Sequence, residues 1–399
     1  MSTRIFSQAF MTMSVVVLTI ISAAVETDIF VPSFPAIQDY FATTESKIQM
    51  IISVNFLGLC IASLFYGPLA DSYGRRPILL IGMFIFAISS VACVLVNSIE
   101  TMIFWRFMQG LGSSVAFVVP AAIIYDTFNQ EKAAKMLGIY NSIITFAMSL
   151  APIIGSFLYL TFNWRANFIF VAALAVIAFI AALIFVKESL DKEKRARLHV
   201  PSIMSSYATL LKNPKAMANL YLICGVCGAY FVYIANLSLI FINHFGVDEA
   251  HYGYYQAVIL LLFAFVSFSS GYVIMHLGMD RTRKIGMRIT VVGAIAFLAV
   301  VLFAPENPAL ITAAMAIFTS GFALSMGIFF SDYMSIYPEI RGVASALANS
   351  IRLFVMAALI AGASFFFNGT MMPVAIIVFF AGVSSLLVLY WLKAQKVAL

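Results

Sequence analysis

Apolar residues in this chain do not alternate with polar ones. They run in blocks of about 20 residues separated by short polar turns. A block of that length crosses the ~30 Å hydrocarbon core of a bilayer as a helix, whereas a barrel strand needs only ~10 alternating residues. The blocks fall at residues 9–32, 48–66, 78–97, 101–124, 137–160 and 166–186, then 217–243, 253–275, 285–304, 308–331, 342–366 and 373–392. The pattern predicts an all-α membrane protein of twelve spans. One long polar stretch, which includes KESLDKEKRARLHVP, interrupts it between the sixth and seventh. The expected organisation is a six-helix bundle over 1–186, a cytoplasmic linker over 187–216 and a second six-helix bundle over 217–399. Met11–Ile21 followed by Ser22-Ala23-Ala24 has the outline of a cleavable signal. The single cation Arg4 before it and the apolar run on to Val31 make it a span instead.

Composition changes what remains open. Of 399 residues 63% are hydrophobic and 10% charged, against roughly 25% charged in an average soluble domain. No soluble fold hides that much apolar surface, which excludes a soluble enzyme, a nucleic-acid-binding domain and a disordered scaffold. The net charge of +6 is explained by loops on one side of the membrane. With the N-terminus cytoplasmic, nineteen Lys and Arg fall on the inner side and only Lys47 and Arg165 on the outer. That imbalance predicts an inner-membrane, multi-pass protein with both termini in the cytoplasm. Cys60, Cys93, Cys224 and Cys227 all lie inside apolar runs, as packed thiols do. No phosphate-binding loop and no His-Glu-x-x-His pattern occurs, so neither ATP-driven pumping nor a metal or other cofactor is expected.

The halves repeat. GPLADSYGRRPILLIG (67–82) follows span two and GYVIMHLGMDRTRKIG (271–286) follows span eight. Their glycines coincide at Gly67/Gly271, Gly74/Gly278 and Gly82/Gly286, and basic residues follow the middle glycine in each. Such duplication predicts bundles related by a pseudo-two-fold axis, with a binding cavity between them. Glycines at 67 and 74 permit tight turning, Asp71 is placed to accept from a neighbouring helix start, and Arg75 is placed to pair with Asp71 or with Asp126. The second copy has Met275 where Asp71 stands, so the two ends are expected to differ.

Charges within spans are costly and are functional candidates by default. Glu26, Asp28 and Arg106 lie at similar depth, roughly 6–9 Å from the outer ends of spans one and four at 1.5 Å per residue. Glu26 and Asp28 point about 200° apart on a regular helix, so one faces the cavity and the other a neighbouring helix. Burial raises a carboxyl pKa and a nearby arginine lowers it, and a group balanced between the two suits proton carriage. The alternatives are a static Asp28–Arg106 pair and snorkelling into interfacial water. Arg352 lies near the midplane of span eleven, either as a fixed cation or held by Asn349 on its own helix. Asn55, Gln109, Asn141, Tyr230, Tyr233, Asn236, Tyr255 and Gln256 complete the candidate substrate-binding set with Arg352. They suit a flat, lipophilic ligand.

These stretches resemble the major facilitator superfamily over the whole chain. Gly67-Pro-Leu-Ala-Asp71-Ser-Tyr-Gly74-Arg75-Arg76 is similar to its loop 2–3 signature, and Arg106, Gln109, Gly110 and Gly112 to its span-four motif. Ala151-Pro152-Ile-Ile-Gly155 resembles the span-five antiporter motif, departing at Ala151 and Ser156. Pro338-Glu339-Ile-Arg341-Gly342 is similar to the loop 10–11 pattern, and Asp28-Ile-Phe-Val-Pro32 to the bicyclomycin/chloramphenicol-resistance branch of drug:proton antiporters. The resemblance implies a monomeric secondary transporter that exports small lipophilic molecules against inward protons by alternating access. In it Gly67, Asp71, Gly74, Arg75, Arg76 and Asp126 form a cytoplasmic latch, and Pro152 and Gly155 form a gate that seals the halves. Two other readings stand beside it: a proton-coupled importer or dedicated metabolite or siderophore carrier, and a non-transporting membrane receptor or scaffold.

Overall fold

The computed structural model describes residues 2–128, 130–195, 200–337 and 341–397, and the described residues are helical almost throughout, with no strand among them. Fourteen α-helices follow one another: α1 Ser2–Asp28, α2 Phe34–Phe41, α3 Glu45–Tyr73, α4 Arg75–Leu95, α5 Ile99–Ser113, α6 Val115–Thr127 and α7 Gln130–Thr161. Then come α8 Trp164–Phe185, α9 Val200–Lys212, α10 Pro214–Ser238, α11 Glu249–Phe303, α12 Pro308–Ser335, α13 Arg341–Phe365 and α14 Met372–Val397. Ten described helical stretches are long and apolar enough to cross a membrane. One of them, His251–Phe303, is 53 residues long and changes direction at Gly278, so it makes two crossings. With α7, the crossings number twelve.

The chain divides into two compact units. The first is residues 1–43 with 50–200, and the second is 44–49 with 201–399. In the first, α4 packs on α5 and α8, and α1 packs on α7 and α8. In the second, α11 packs on α12 and α14, and α10 packs on α13 and α14.

Local chemistry explains where helices start and bend. Asn213 and Asn307 precede Pro214 and Pro308, and each asparagine side chain accepts from the first turn of its helix. This joins an Asn cap to a proline at a position that needs no backbone N–H. Gly74 (φ 110°, ψ 154°) and Gly278 (φ 77°, ψ 159°) hold the same backbone shape at equivalent places, one before α4 and one inside α11. L-residues avoid that region, which is why glycine recurs there in both copies.

Three boundaries differ from the sequence reading. The first crossing does not stop at residue 32: after α1 a 3-10 turn at Val31–Ser33 leads into α2, and the apolar crossing runs Met11–Phe41. Prolines 32 and 35 lack N–H groups, so they bend the helix without ending the crossing. The fourth crossing is two helices, parted at Ser114, whose hydroxyl donates to the Leu59 carbonyl at 3.1 Å. Within the 187–216 linker stands α9, which buries Tyr207 and Leu210, and α10 already begins at Pro214.

Candidate functional site

Helices α1, α3, α4 and α5 of the first unit bring five polar side chains into one buried cluster. Glu26 is fully buried and Arg106 is 1% exposed. Arg106 Nη1 donates to Glu26 Oε1 and, at 2.5 Å, to Gln109 Oε1. Asn55 Nδ2 donates to the same Glu26 oxygen at 2.9 Å and to the Arg106 carbonyl at 3.1 Å. Gln109 Nε2 donates to Ser90 Oγ at 2.8 Å, and the Cys93 thiol lies 3.8 Å from Gln109 Oε1. The guanidinium also sits over the Phe30 ring, 4.1 Å from its centroid, and Phe30 in turn stacks on Phe168.

Glycine lets the helices come this close. A Cβ on Gly110 would overlap the carbonyl of Asn55, and one on Gly112 would overlap the backbone of Phe86. The bare backbone of α5 therefore rests directly on α3 and α4. This brings Asn55 to the carbonyl of Arg106 and sets Gln109 beside Ser90.

The cluster is incompletely paired. Glu26 Oε2, Arg106 Nε, Arg106 Nη2 and Asn55 Oδ1 are buried with no hydrogen-bond partner among the described residues. A buried ion pair in this condition has paid its desolvation cost without full return. Asp28, two residues on, is 4% exposed and its carboxylate accepts no hydrogen bond from the described residues. It sits where α1 ends and the chain turns. Arg106 therefore pairs with Glu26, and the static Asp28–Arg106 pair weighed from the sequence is not what forms. Glu26 is midway along the apolar stretch Met11–Phe41, fifteen residues from either end.

A second cluster lies at the basic end of the first unit. Arg75 Nη1 pairs with Asp71, and Arg75 Nε donates to Asp126 Oδ2 at 3.0 Å, where Ser189 Oγ also donates. The backbone N–H of Arg75 donates to Glu188 Oε1 at 2.9 Å. Arg76 donates to the Leu183 and Val186 carbonyls at the end of α8. A Cβ on Gly74 would overlap Glu188, so the turn is tailored to that carboxylate. Gly67 has open space about it, with Val118 at 3.9 Å as its nearest neighbour. Glu188 and Ser189 were not candidates from sequence, because a single acid among linker charges carries no periodic signal.

The second unit carries its own version. Met275 is 77% exposed and pairs with nothing ionic, but Arg283 pairs with Asp280 and with Asp332. Asp332 ends α12 as Asp126 ends α6. The cation has moved one helical turn along, and the arrangement recurs.

The sequence pattern of the Major Facilitator Superfamily matches residues 16–360. The chain belongs to the Major Facilitator Superfamily. Within this family it is similar to the bicyclomycin resistance protein homolog of Haemophilus influenzae, at 24% identity over 344 residues and 82% of each chain. It is likewise similar to the multidrug resistance protein MdtL of Vibrio parahaemolyticus, at 27% identity over 322 residues and 80% of each. Its fold matches that of the xylose transporter XylE from E. coli with a TM-score of 0.72, covering 96% of this chain and 97% of that one at 14% identity. The protein is thus a multi-pass membrane transporter and not an enzyme.

The candidate substrate set disperses under this family fold. Asn55 and Gln109 belong to the buried Glu26–Arg106 cluster. Tyr233 is fully buried, edge-on to Phe297, and Gln256 is 1% exposed and accepts from Tyr252 Oη. Asn236, 1% exposed, donates to the Val232 carbonyl at 2.8 Å. Tyr255 packs edge-on against Phe241, and Tyr230 is half-buried against Phe231. Arg352 Nη2 donates to Asn349 Oδ1 at 2.7 Å, the same-helix contact weighed from sequence. The Asn141 side chain lies outside the described residues, as does the Pro338–Glu339 part of the loop 10–11 pattern. Pro152 lies inside α7. A Cβ on Gly155 would overlap the Ile29 carbonyl at the end of α1. The close approach that glycine permits is therefore made within the first unit.

Proposed function

We propose that this transporter exports small lipophilic molecules, of the drug or metabolite kind, in exchange for protons entering from outside. The chain works as a monomer in the inner membrane by alternating access, with both termini cytoplasmic. The observation that carries this reading is the division of labour between two acids on one helix. Glu26 is held by Arg106 and Asn55, while Asp28 is buried, accepts no hydrogen bond from the described residues and keeps a slight exposure where Glu26 has none. An intramembrane carboxylate with no structural task is one retained for proton carriage. Asp28 takes up and releases the proton in this scheme, and the Glu26–Arg106 pair holds the local field. Relatives named for bicyclomycin and multidrug resistance support the substrate class.

A potential of ~100–150 mV supplies about 2.3–3.5 kcal/mol per charge moved. That sustains roughly a 50- to 400-fold substrate gradient for one net charge. Purified protein in proteoliposomes tests the reading directly. An imposed proton gradient is expected to drive uptake of a lipophilic cationic dye, and dye addition is expected to release protons. A dye flux that ignores the proton gradient in both directions defeats it.

The Asp71–Arg75–Asp126 set acts as the latch that biases the carrier between its two states. The Asp71 side chain is 52% exposed and the Asp126 side chain 20%. The less exposed partner is less screened and contributes more. Asp126→Asn is therefore expected to slow turnover about fivefold, the equivalent of ~1 kcal/mol, and more than Asp71→Asn does. Substrate affinity should stay at the wild-type value in both. Stopped-flow flux and equilibrium binding on the two variants decide it, and a weakened affinity with unchanged turnover would contradict the latch.

A further inference from the structure

At one end of the second unit, α10 begins, α12 and α14 end, and the two halves of α11 meet. These ends surround an open cavity of about 140 Å³ lined by Lys215, Asn219, Arg283, Asp332 and Lys393, with Leu389 and Leu392 as its apolar wall. Arg283 is 6% exposed, and its two terminal nitrogens are taken by Asp280 and Asp332. Its Nε is buried with no partner among the described residues. Lys284 stands beside Lys393 as a like charge. Three cations thus line the cavity against the one carboxylate Asp332, and the excess is positive. Asn219 Oδ1, also buried and unpartnered among the described residues, offers an acceptor beside them.

The internal repeat shows what is missing. In the first unit the corresponding end is closed by the protein's own anion, since Glu188 comes in after α8 to accept from the N-terminus of α4. In the second unit the chain places a cation, Lys393, at the end of α14.

We propose that this cavity binds the headgroup of an anionic phospholipid. The phosphodiester lies among Lys215, Arg283 Nε and Lys393, a headgroup hydroxyl donates to Asn219 Oδ1, and the acyl chains leave along Leu389 and Leu392 into the hydrocarbon. A basic pocket between membrane helices at the end of their spans, with a greasy exit, has the chemistry such headgroups need. The inference rests on the membrane location alone and is indifferent to what the carrier exports.

Native mass spectrometry of the delipidated protein, titrated with phosphatidylglycerol or phosphatidylethanolamine, tests the proposal. The wild type is expected to prefer phosphatidylglycerol. Lys215→Gln and Lys393→Gln should each lower that affinity about fivefold and the double variant about 25-fold, as removal of ~1 kcal/mol per cation implies. Phosphatidylethanolamine binding should not change. Lys212→Gln, on exposed α9 and outside the cavity, should stay within about twofold of wild type. Thermal unfolding in detergent supplies the second arm: phosphatidylglycerol raises the midpoint and inorganic phosphate does not. Equal stabilisation by phosphate would make this a soluble-anion site and overturn the lipid assignment. So would a double variant that retains wild-type phosphatidylglycerol affinity. If the double variant does not purify as a monodisperse protein, the two single variants carry the same comparison.

Discussion

Asp28→Asn is expected to abolish proton-coupled flux, down to the level of protein-free vesicles, while the protein remains folded. The side chains are nearly equal in size, and Asp28 gives up no hydrogen bond to the described residues when it becomes an amide. Replacing a buried carboxylate by a neutral isostere removes a desolvation cost, so the unfolding midpoint should hold or rise slightly. Glu26→Gln should behave differently. It leaves Arg106, 1% exposed, without its counter-charge. Removing one partner of a buried ion pair costs about 3–5 kcal/mol, which in a chain of this size lowers the midpoint by several degrees. The two acids thus separate in one experiment that measures both unfolding and proton release on substrate addition. Loss of coupling with retained stability in Asp28→Asn, and loss of stability in Glu26→Gln, is the expected pattern. Wild-type proton release from Asp28→Asn would place the carrier group elsewhere.

The crossings were legible because the bilayer sets one length for every one of them, and apolar blocks of that length stand out without periodicity. The end of the first crossing was not. The apolar block closes at residue 32, and the packing of Phe30 on Phe168 and of Ser33 on Asn167 shows the chain continuing through the bend. Counting residues correctly grouped Glu26 and Arg106. It could not choose between Glu26 and Asp28 as the partner of Arg106, because side-chain direction at a helix end depends on where the helix breaks. Asn55 and Gln109 stand out in the sequence as intramembrane polar residues, but their hydrogen bonds to Glu26 and Arg106 do not. The glycines that press α5 onto α3 and α4 hold the explanation, and a pairwise helix contact leaves no mark in a single sequence. The same holds for Glu188. Its role depends on α8 ending beside Gly74, a tertiary fact. The repeat itself was visible in three glycines, and Gly74 and Gly278 adopt the matching backbone that such spacing implies. The shift of the cation from the Arg75 position to Arg283 was hidden, since one helical turn preserves a contact that an alignment of letters loses.

Gly155→Leu should inactivate the carrier through α1. The resemblance makes Gly155 part of a seal between halves, but its bare face lies on the Ile29 carbonyl, one residue beyond Asp28. Even a methyl at 155 would overlap that oxygen, and backbone cannot yield as a flexible side chain does. Either α7 moves away or the end of α1 moves, and both displace the turn that carries Asp28. Overpacking of this kind costs about 1–3 kcal/mol, a loss that a membrane bundle of this size tolerates without unfolding. The expected result is a folded protein with flux lowered at least tenfold and with altered solvent access to position 28. Gly155→Ala should show the same defect in milder form, since it adds the first overlapping atom but no bulk. Pro152, one turn earlier in α7, interrupts its hydrogen bonding and gives the helix the freedom to lean towards α1. Pro152→Ala, which straightens it, is expected to weaken the contact from the other side. Carboxyl labelling at Asp28 by a water-soluble carbodiimide, measured beside flux, provides the check. Wild-type labelling and wild-type flux in Gly155→Leu would show that the contact with Ile29 does not set the position of the proton site.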